Sequence, residues 1–242
     1  MKKWILGVLL TQLVTVPAYA IGIDSMLEYT DTKGEATFTV TNSDEGRQYI
    51  NVLISELLIE NGDIKKVPYT RDNLNQWAME AYPARSILEP KFKKEFSLVY
   101  KPKKGELVIN RDRVFQVSFV PTPYFAEGEK KTNAVKMAFG FAPLVIVPAP
   151  QPGPLTYEME YRGDKLTVVN KGNSFFTLYL DGCPEGTADK ARATCSIDTT
   201  VLAGRKLNIP LSAQIAKQST LKVRMSSHGN KFKAEATLRK QP

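Results

Sequence analysis

The sequence contains a single histidine, two cysteines, and nowhere the roughly 18–20 consecutive apolar residues that a membrane-spanning helix needs. A lone imidazole, His228 in "SSHGN", offers neither the paired histidines of a metal site nor a Cys-His nucleophile and base, and its setting reads as a turn. Glycine-rich phosphate loops and a serine elbow are also absent. The carboxylates are scattered, with no two brought together by sequence as an acid and base pair. These absences argue against an enzyme and against a resident metal or other cofactor. A binding protein without an integral membrane segment is the expectation.

What is present begins with a compartment signal. "MKKWILGVLLTQLVTVPAYA" sets Lys2 and Lys3 before a short apolar run from Trp4 to Leu10, with small residues at Ala18 and Ala20. That is the layout of a cleaved secretory signal over residues 1–20, so the mature chain is expected to start near Ile21 and to be soluble outside the cytoplasm. The formal net charge is +8, with Lys91, Lys93 and Lys94 near Lys101, Lys103 and Lys104. Such lysines suit solvated strand edges, where they discourage aggregation, or a surface that steers an acidic partner. Nucleic acid is not expected, because no recognition helix or aromatic-interleaved basic patch accompanies them. Cys183 and Cys195, close together in an exported chain, are expected to form a disulfide that staples one loop.

Nearly every segment alternates with period two, the signature of β-strands. "EATFTVTN", "QYINVLISELLIE" up to the hairpin pair Asn61-Gly62, "RSILEP", "KKEFSLVY" and "DRVFQVSFVP" belong to about seven or eight strands before residue 148. "RDNLNQWAMEAY" has Leu74 and Trp77 at helical spacing but no clear cap, and is not assigned as a helix. "VPAPQPGP" carries prolines at 148, 150, 152 and 154, which disfavour helix and sheet. Beyond it come "LTYEMEY", "DKLTVVN", "SFFTLYLDG", "RKLNIPL", "TLKVRMS" and "FKAEATL". The expected fold is all-β: two immunoglobulin-like sandwich domains, 21–148 and 155–242, joined at a proline-rich elbow over 149–154.

One stretch exceeds what an ordinary core strand requires. In "NAVKMAFGFAPLVIVPAP", Val135, Met137, Phe139 and Phe141 form a large apolar row opposite Lys136, Ala138, Gly140 and Ala142. Facing the row's own core is one reading, for all four or for Phe139 and Phe141 alone. Pro143, with no N–H to donate, should mark a bulge, an edge position or the end of a pairing segment.

Taken in order, "TVTNSDEGRQYINV", "PARSILEP", "DRVFQVSF" and "VVNKGNSFFTLYLDGC" with its second cysteine at 195 resemble the PapD-like periplasmic pilus chaperones, more narrowly the branch serving common-pilus-type and other alternate fimbriae. The resemblance spans nearly the whole mature chain and implies a boomerang of two sandwiches. It implies that Val135, Met137, Phe139 and Phe141 are a donor strand lent to a fimbrial subunit that lacks one of its own, a strand addition requiring no ATP. Its implied partners are fimbrial subunits, the outer-membrane usher, and a second copy of the chain that caps the donor strand. Better-known members grip the subunit's terminal carboxylate with an Arg in the first strand and a Lys late in the last strand of domain one. Here those neighbourhoods hold Met26 and Pro143-Leu144, and the penultimate strand has Gln116 where many alternate-branch members are basic. Arg113 and Arg47 are the candidates for a carboxylate anchor, with ordinary surface roles as the alternative.

Two other readings stay in view. A pilus subunit or adhesin of the same pathway would need an N-terminal donor segment, and "IGIDSMLEYT" does alternate through Ile21, Ile23, Leu27 and Tyr29. A carbohydrate-binding sandwich would need gathered exposed aromatics, for which Tyr124 and Phe125 are the only loop pair in the sequence.

Overall fold

The computed structural model describes residues 21–102, 110–123, 139–184 and 186–242. The leader and the residues Val135 and Met137 lie outside the described residues.

The first half is a sandwich of two sheets. One has the order β1 (Ile21–Ile23), β3 (Glu35–Asn42), β8 (Lys93–Tyr100), β6 (Met79–Tyr82). The other runs β2 (Leu27–Tyr29), β10 (Leu144–Val147), β9 (Arg113–Pro123), β4 (Gln48–Glu60), β5 (Asp63–Pro68), with β7 (Arg85–Leu88) also on β4. The alternation seen in sequence is the alternation of burial: Ala36, Phe38 and Val40 from β3 meet Phe115, Val117 and Phe119 from β9 in the core. Phe119 packs edge-on against Phe38 and Phe96, at centroid distances of 5.7 and 5.2 Å. Asn61 and Gly62 close the β4–β5 hairpin with φ of 53° and 87°, the positive pair of a two-residue turn whose twist suits the flanking strands.

Three features depart from the sequence reading. Ten strands rather than seven or eight occupy this half among the described residues, because several are short. The first strand changes sheets: β1 pairs antiparallel with β3, and β2 pairs parallel with β10. Ser25 makes the bend, its hydroxyl donating to the Leu27 carbonyl at 2.8 Å and accepting the Leu27 N–H at 3.2 Å. "RDNLNQ" forms a 3₁₀ turn at Arg71–Gln76, in which the Asn73 side-chain oxygen accepts the Thr70 N–H at 2.8 Å.

The second half pairs a sheet of order β11 (Tyr157–Arg162), β12 (Lys165–Asn170), β15 (Lys206–Pro210) with one of order β14 (Ser196–Val201), β13 (Phe176–Asp181), β16 (Thr220–Ser227), β17 (Lys233–Arg239). Its core holds Tyr161, Leu166, Phe176, Leu178, Leu180, Leu221 and Val223. β14, "SIDTTV", is the strand that the hydrophobic pattern does not reveal, since Ser196, Asp198, Thr199 and Thr200 supply little apolar contrast. The Cys183–Cys195 disulfide is present and ties the connection between β13 and β14.

Candidate functional site

The C-terminal end of the large apolar row, at Phe141, leads into the last strand of the first sandwich. β10 pairs antiparallel with β9, Leu144 opposite Gln116, and one register joins this ladder to the bridge between Phe141 and Phe119. Phe119 N–H donates to the Phe141 carbonyl at 2.7 Å, and Phe141 N–H returns a bond to Phe119 at 3.2 Å. Between bridge and strand stands Pro143, which accepts from Val117 N–H at 2.9 Å and donates nothing. The interruption expected at Pro143 is therefore a ladder with one bond missing.

Along this segment the odd-numbered residues face the sandwich interior: Val145 is buried in the core, while Phe141 and Val147 pack against it. Phe139, two residues earlier, is 62% exposed. The core-facing row thus outruns the core, with Phe141 at the lip and Phe139 beyond it. Even-numbered residues point their backbone groups the other way. Leu144 N–H reaches Met26 at 3.0 Å, but β2 starts at Leu27, opposite Leu144, so the outward edge at Gly140 and Ala142 has no strand beside it among the described residues. An apolar side chain past the rim and an uncovered strand edge coincide there.

Arg113 and Arg47 are not brought together. Arg113 opens β9 at the junction between the halves, whereas Arg47 precedes β4 at the end where Gln48 pairs with Pro123. Ten residues of β9 separate these ends, on the order of 33 Å of strand. Arg47 is exposed and bonds Glu89 at 2.8 Å. Arg113 is only 15% exposed in its side chain and donates from Nε and Nη2 to Glu56 Oε1 at 2.9 and 2.7 Å and from Nη1 to the Tyr100 hydroxyl at 3.1 Å. Burial alone would lower the guanidinium pKa, but the Glu56 carboxylate more than reverses this, so Arg113 stays charged. Glu56, Leu57, Ile59, Arg111, Arg113 and Ala203 line a cleft of about 490 Å³ between the halves.

The junction itself is organised by residues that sequence reasoning missed. Asp112 is 8% exposed, and its two carboxylate oxygens accept Ala149 N–H from the proline-rich connection and Phe175 N–H from the second half, both at 2.7 Å. Its backbone N–H donates to Asn173 at 2.9 Å. Burial raises the Asp112 pKa, against the lowering effect of these N–H donors. Asn173 Nδ2 donates to the carbonyls of Asn110 and Gln151 at 3.0 and 2.9 Å. Arg205 from the second half donates to Asp63 at 2.7 Å in the β4–β5 turn. A third apolar cluster, Leu57, Val114, Ile146, Phe175 and Leu202, is shared between the halves. Tyr29 stacks on Phe175 at 5.1 Å and lies 4.3 Å from His228, so the only histidine sits on this seam, in the 3₁₀ turn His228–Asn230. None of these contacts has a local motif that would announce it.

The model of the CS5 fimbrial protein N-terminal domain family matches residues 23–148. No curated protein matches the chain. Solved structures of similar fold include the Salmonella enterica SafA pilin in complex with the SafB chaperone, at 11% identity and a TM-score of 0.58, covering 93% of this chain and 98% of that one. The class 5 fimbriae chaperone CfaA is 12% identical with a TM-score of 0.55, covering 92% and 99%. The E. coli chaperone DraB is 13% identical with a TM-score of 0.52, covering 91% and 97%.

Proposed function

The chain belongs to the family of the CS5 fimbrial protein N-terminal domain and has the two-domain fold of the PapD-like fimbrial chaperones, and from this we propose that it is a periplasmic, non-catalytic chaperone of fimbrial subunits. The observation that carries the proposal is the core-facing row that runs past the sandwich rim, with exposed Phe139 beside an uncovered strand edge. A subunit whose sandwich lacks a strand would gain main-chain bonds from that edge, while the large side chains fill its open groove. Val135 and Met137 continue the row in sequence, and Met137 would adapt to grooves that differ between subunits. Each side chain so buried contributes roughly 1.5–3 kcal/mol before ordering costs, so a few of them hold a subunit without ATP.

In this reading residues 1–20 are removed on export, 21–148 form the subunit-holding domain, 149–154 the elbow and 155–242 the second domain. Delivery to an outer-membrane usher follows capture. Arg113 is the better anchor candidate, because it lines the interdomain cleft whereas Arg47 stands at the far end of β4. Since Arg113 already holds Glu56, an incoming carboxylate would share the guanidinium or displace that partner.

The test is co-expression in a periplasm with the neighbouring fimbrial subunit, followed by affinity recovery. A stoichiometric subunit that is degraded when this chain is absent is the expected result. Phe139→Asp should leave the chain folded and abolish recovery. Undiminished recovery with that variant refutes the donor assignment, and self-polymerisation of the chain would favour a pilus subunit.

A further inference from the structure

The positive charge of the chain is concentrated in its last hairpin. Residues 217–242 hold seven lysines and arginines against one acid, Glu235, whereas residues 21–216 hold 24 of each sign. Everything after the leader and before this hairpin is therefore neutral as a whole. The net charge belongs to β16, β17 and their flanks.

The two strands sort these charges onto one face. Leu221, Val223 and Met225 of β16 and Ala234, Ala236 and Leu238 of β17 turn to the core of the second half, so the residues between them point outward. The register pairs Thr220 with Arg239, Lys222 with Thr237, Arg224 with Glu235 and Ser226 with Lys233. These are four successive outward rungs, and each carries one cation. At about 7 Å per two-residue step the row spans about 20 Å. Among the described residues none of the four cations makes an ion pair or a side-chain hydrogen bond. Arg224 even has Glu235 opposite it, yet lies over the Tyr179 ring at 4.8 Å.

Protection of a sheet edge does not account for the row. β16 lies between β13 and β17, so Lys222 and Arg224 stand on an inner strand where no edge needs guarding. The spacing also tells against a single small ligand, because one carboxylate cannot bridge cations a rung apart. No outward residue of either strand is apolar, so nothing on this face would insert into a hydrophobic groove. A row of separate cations on a flat polar face suits a surface that offers many separate anions.

We propose that the outer face of β16 and β17 is an electrostatic docking surface for an anionic lipid membrane, with Lys222, Arg224, Lys233 and Arg239 meeting the headgroups. The face lies in the second half and shares no residue with the donor row, so the inference stands whether or not the donor reading does. For an exported chaperone, loose attachment of this kind would keep it beside the membrane that its subunits cross.

The experiment is co-sedimentation of the chain from Ile21 onward with phosphatidylcholine vesicles, with and without phosphatidylglycerol. Binding should require the anionic lipid and weaken as ionic strength rises. Lys222→Gln with Arg224→Gln should lower the partition coefficient roughly 25-fold, about fivefold for each cation removed. Lys93→Gln with Lys94→Gln removes the same charge from the first half and should leave binding nearly unchanged. If the first pair does not fold, Lys233→Gln with Arg239→Gln tests the same row without disturbing the stack on Tyr179. Absence of binding to the anionic vesicles, or an equal loss with the Lys93 and Lys94 pair, overturns the proposal. Recovery of a co-expressed subunit that falls with Lys222→Gln and Arg224→Gln while vesicles are ignored would make this face a protein contact, and overturns it as well.

Discussion

Replacing Asp112 by alanine should uncouple the two domains. The carboxylate accepts one N–H from the connection and one from the second domain, both at 2.7 Å and both buried. Two bonds to a charged acceptor are worth about 3–6 kcal/mol together, and the cost of burying the charge, which raises the Asp112 pKa, offsets part of that. The net loss should be about 2–4 kcal/mol, or roughly 5–15 °C in the melting temperature of a chain this size. Trp77 is the only tryptophan after the leader and lies in the first domain, so its fluorescence reports that domain while far-ultraviolet circular dichroism reports both. In the parent protein the two signals should melt together; in Asp112→Ala they should separate. Asp112→Asn should do no better, since its amide turns a donor toward one of the two N–H groups. The pH dependence carries its own sign. A carboxyl whose folded pKa lies above its unfolded value, near ~4, contributes stability below that range and loses it as pH rises through the folded value. The gap between parent and alanine variant should therefore widen on acidification. Coincident melting of the variant at the parent temperature, or a gap that closes as pH falls, would refute the reasoning.

Two further outcomes follow from the fold. Replacing Cys183 and Cys195 by serine opens a link spanning 12 residues and should cost roughly 3 kcal/mol, measured by urea unfolding of oxidised parent against the variant. Asn42→Ala should cost about 2–4 kcal/mol by the same assay, because Asn42 is wholly buried and its amide donates to the carbonyls of Gly46, Leu88 and Glu89 at 2.9, 3.0 and 3.1 Å; a loss below 1 kcal/mol would mean that water replaces those bonds.

How much of this is legible in sequence depends on the distance over which each feature is built. β3, β4 and β8 were visible to the residue, because a strand with one face in a core writes its period directly into the side chains. The Asn61-Gly62 turn was visible because positive φ is a local demand. The row from Val135 to Phe141 was visible as an excess, but its division was not: Phe141 packs against its own core and Phe139 does not, and that depends on where the opposing sheet stops. Arg113 and Arg47 looked equivalent as strand-end cations until β4 and β9 were paired and placed them at opposite ends.

The sequence by itself determined the class of the fold, the two-domain order and the disulfide, since each rests on periodicity or on neighbours within a dozen residues. Only the tertiary structure decided the junction. Asp112 reads as one charge among several in "NRDRVF", and its importance comes from Ala149 and Phe175, 37 and 63 residues away. Glu56 meets Arg113 across 57 residues and Arg205 meets Asp63 across 142. Partners so distant leave no periodic trace in the chain, because what brings them together is the docking of finished sandwiches rather than the conformation of any one segment.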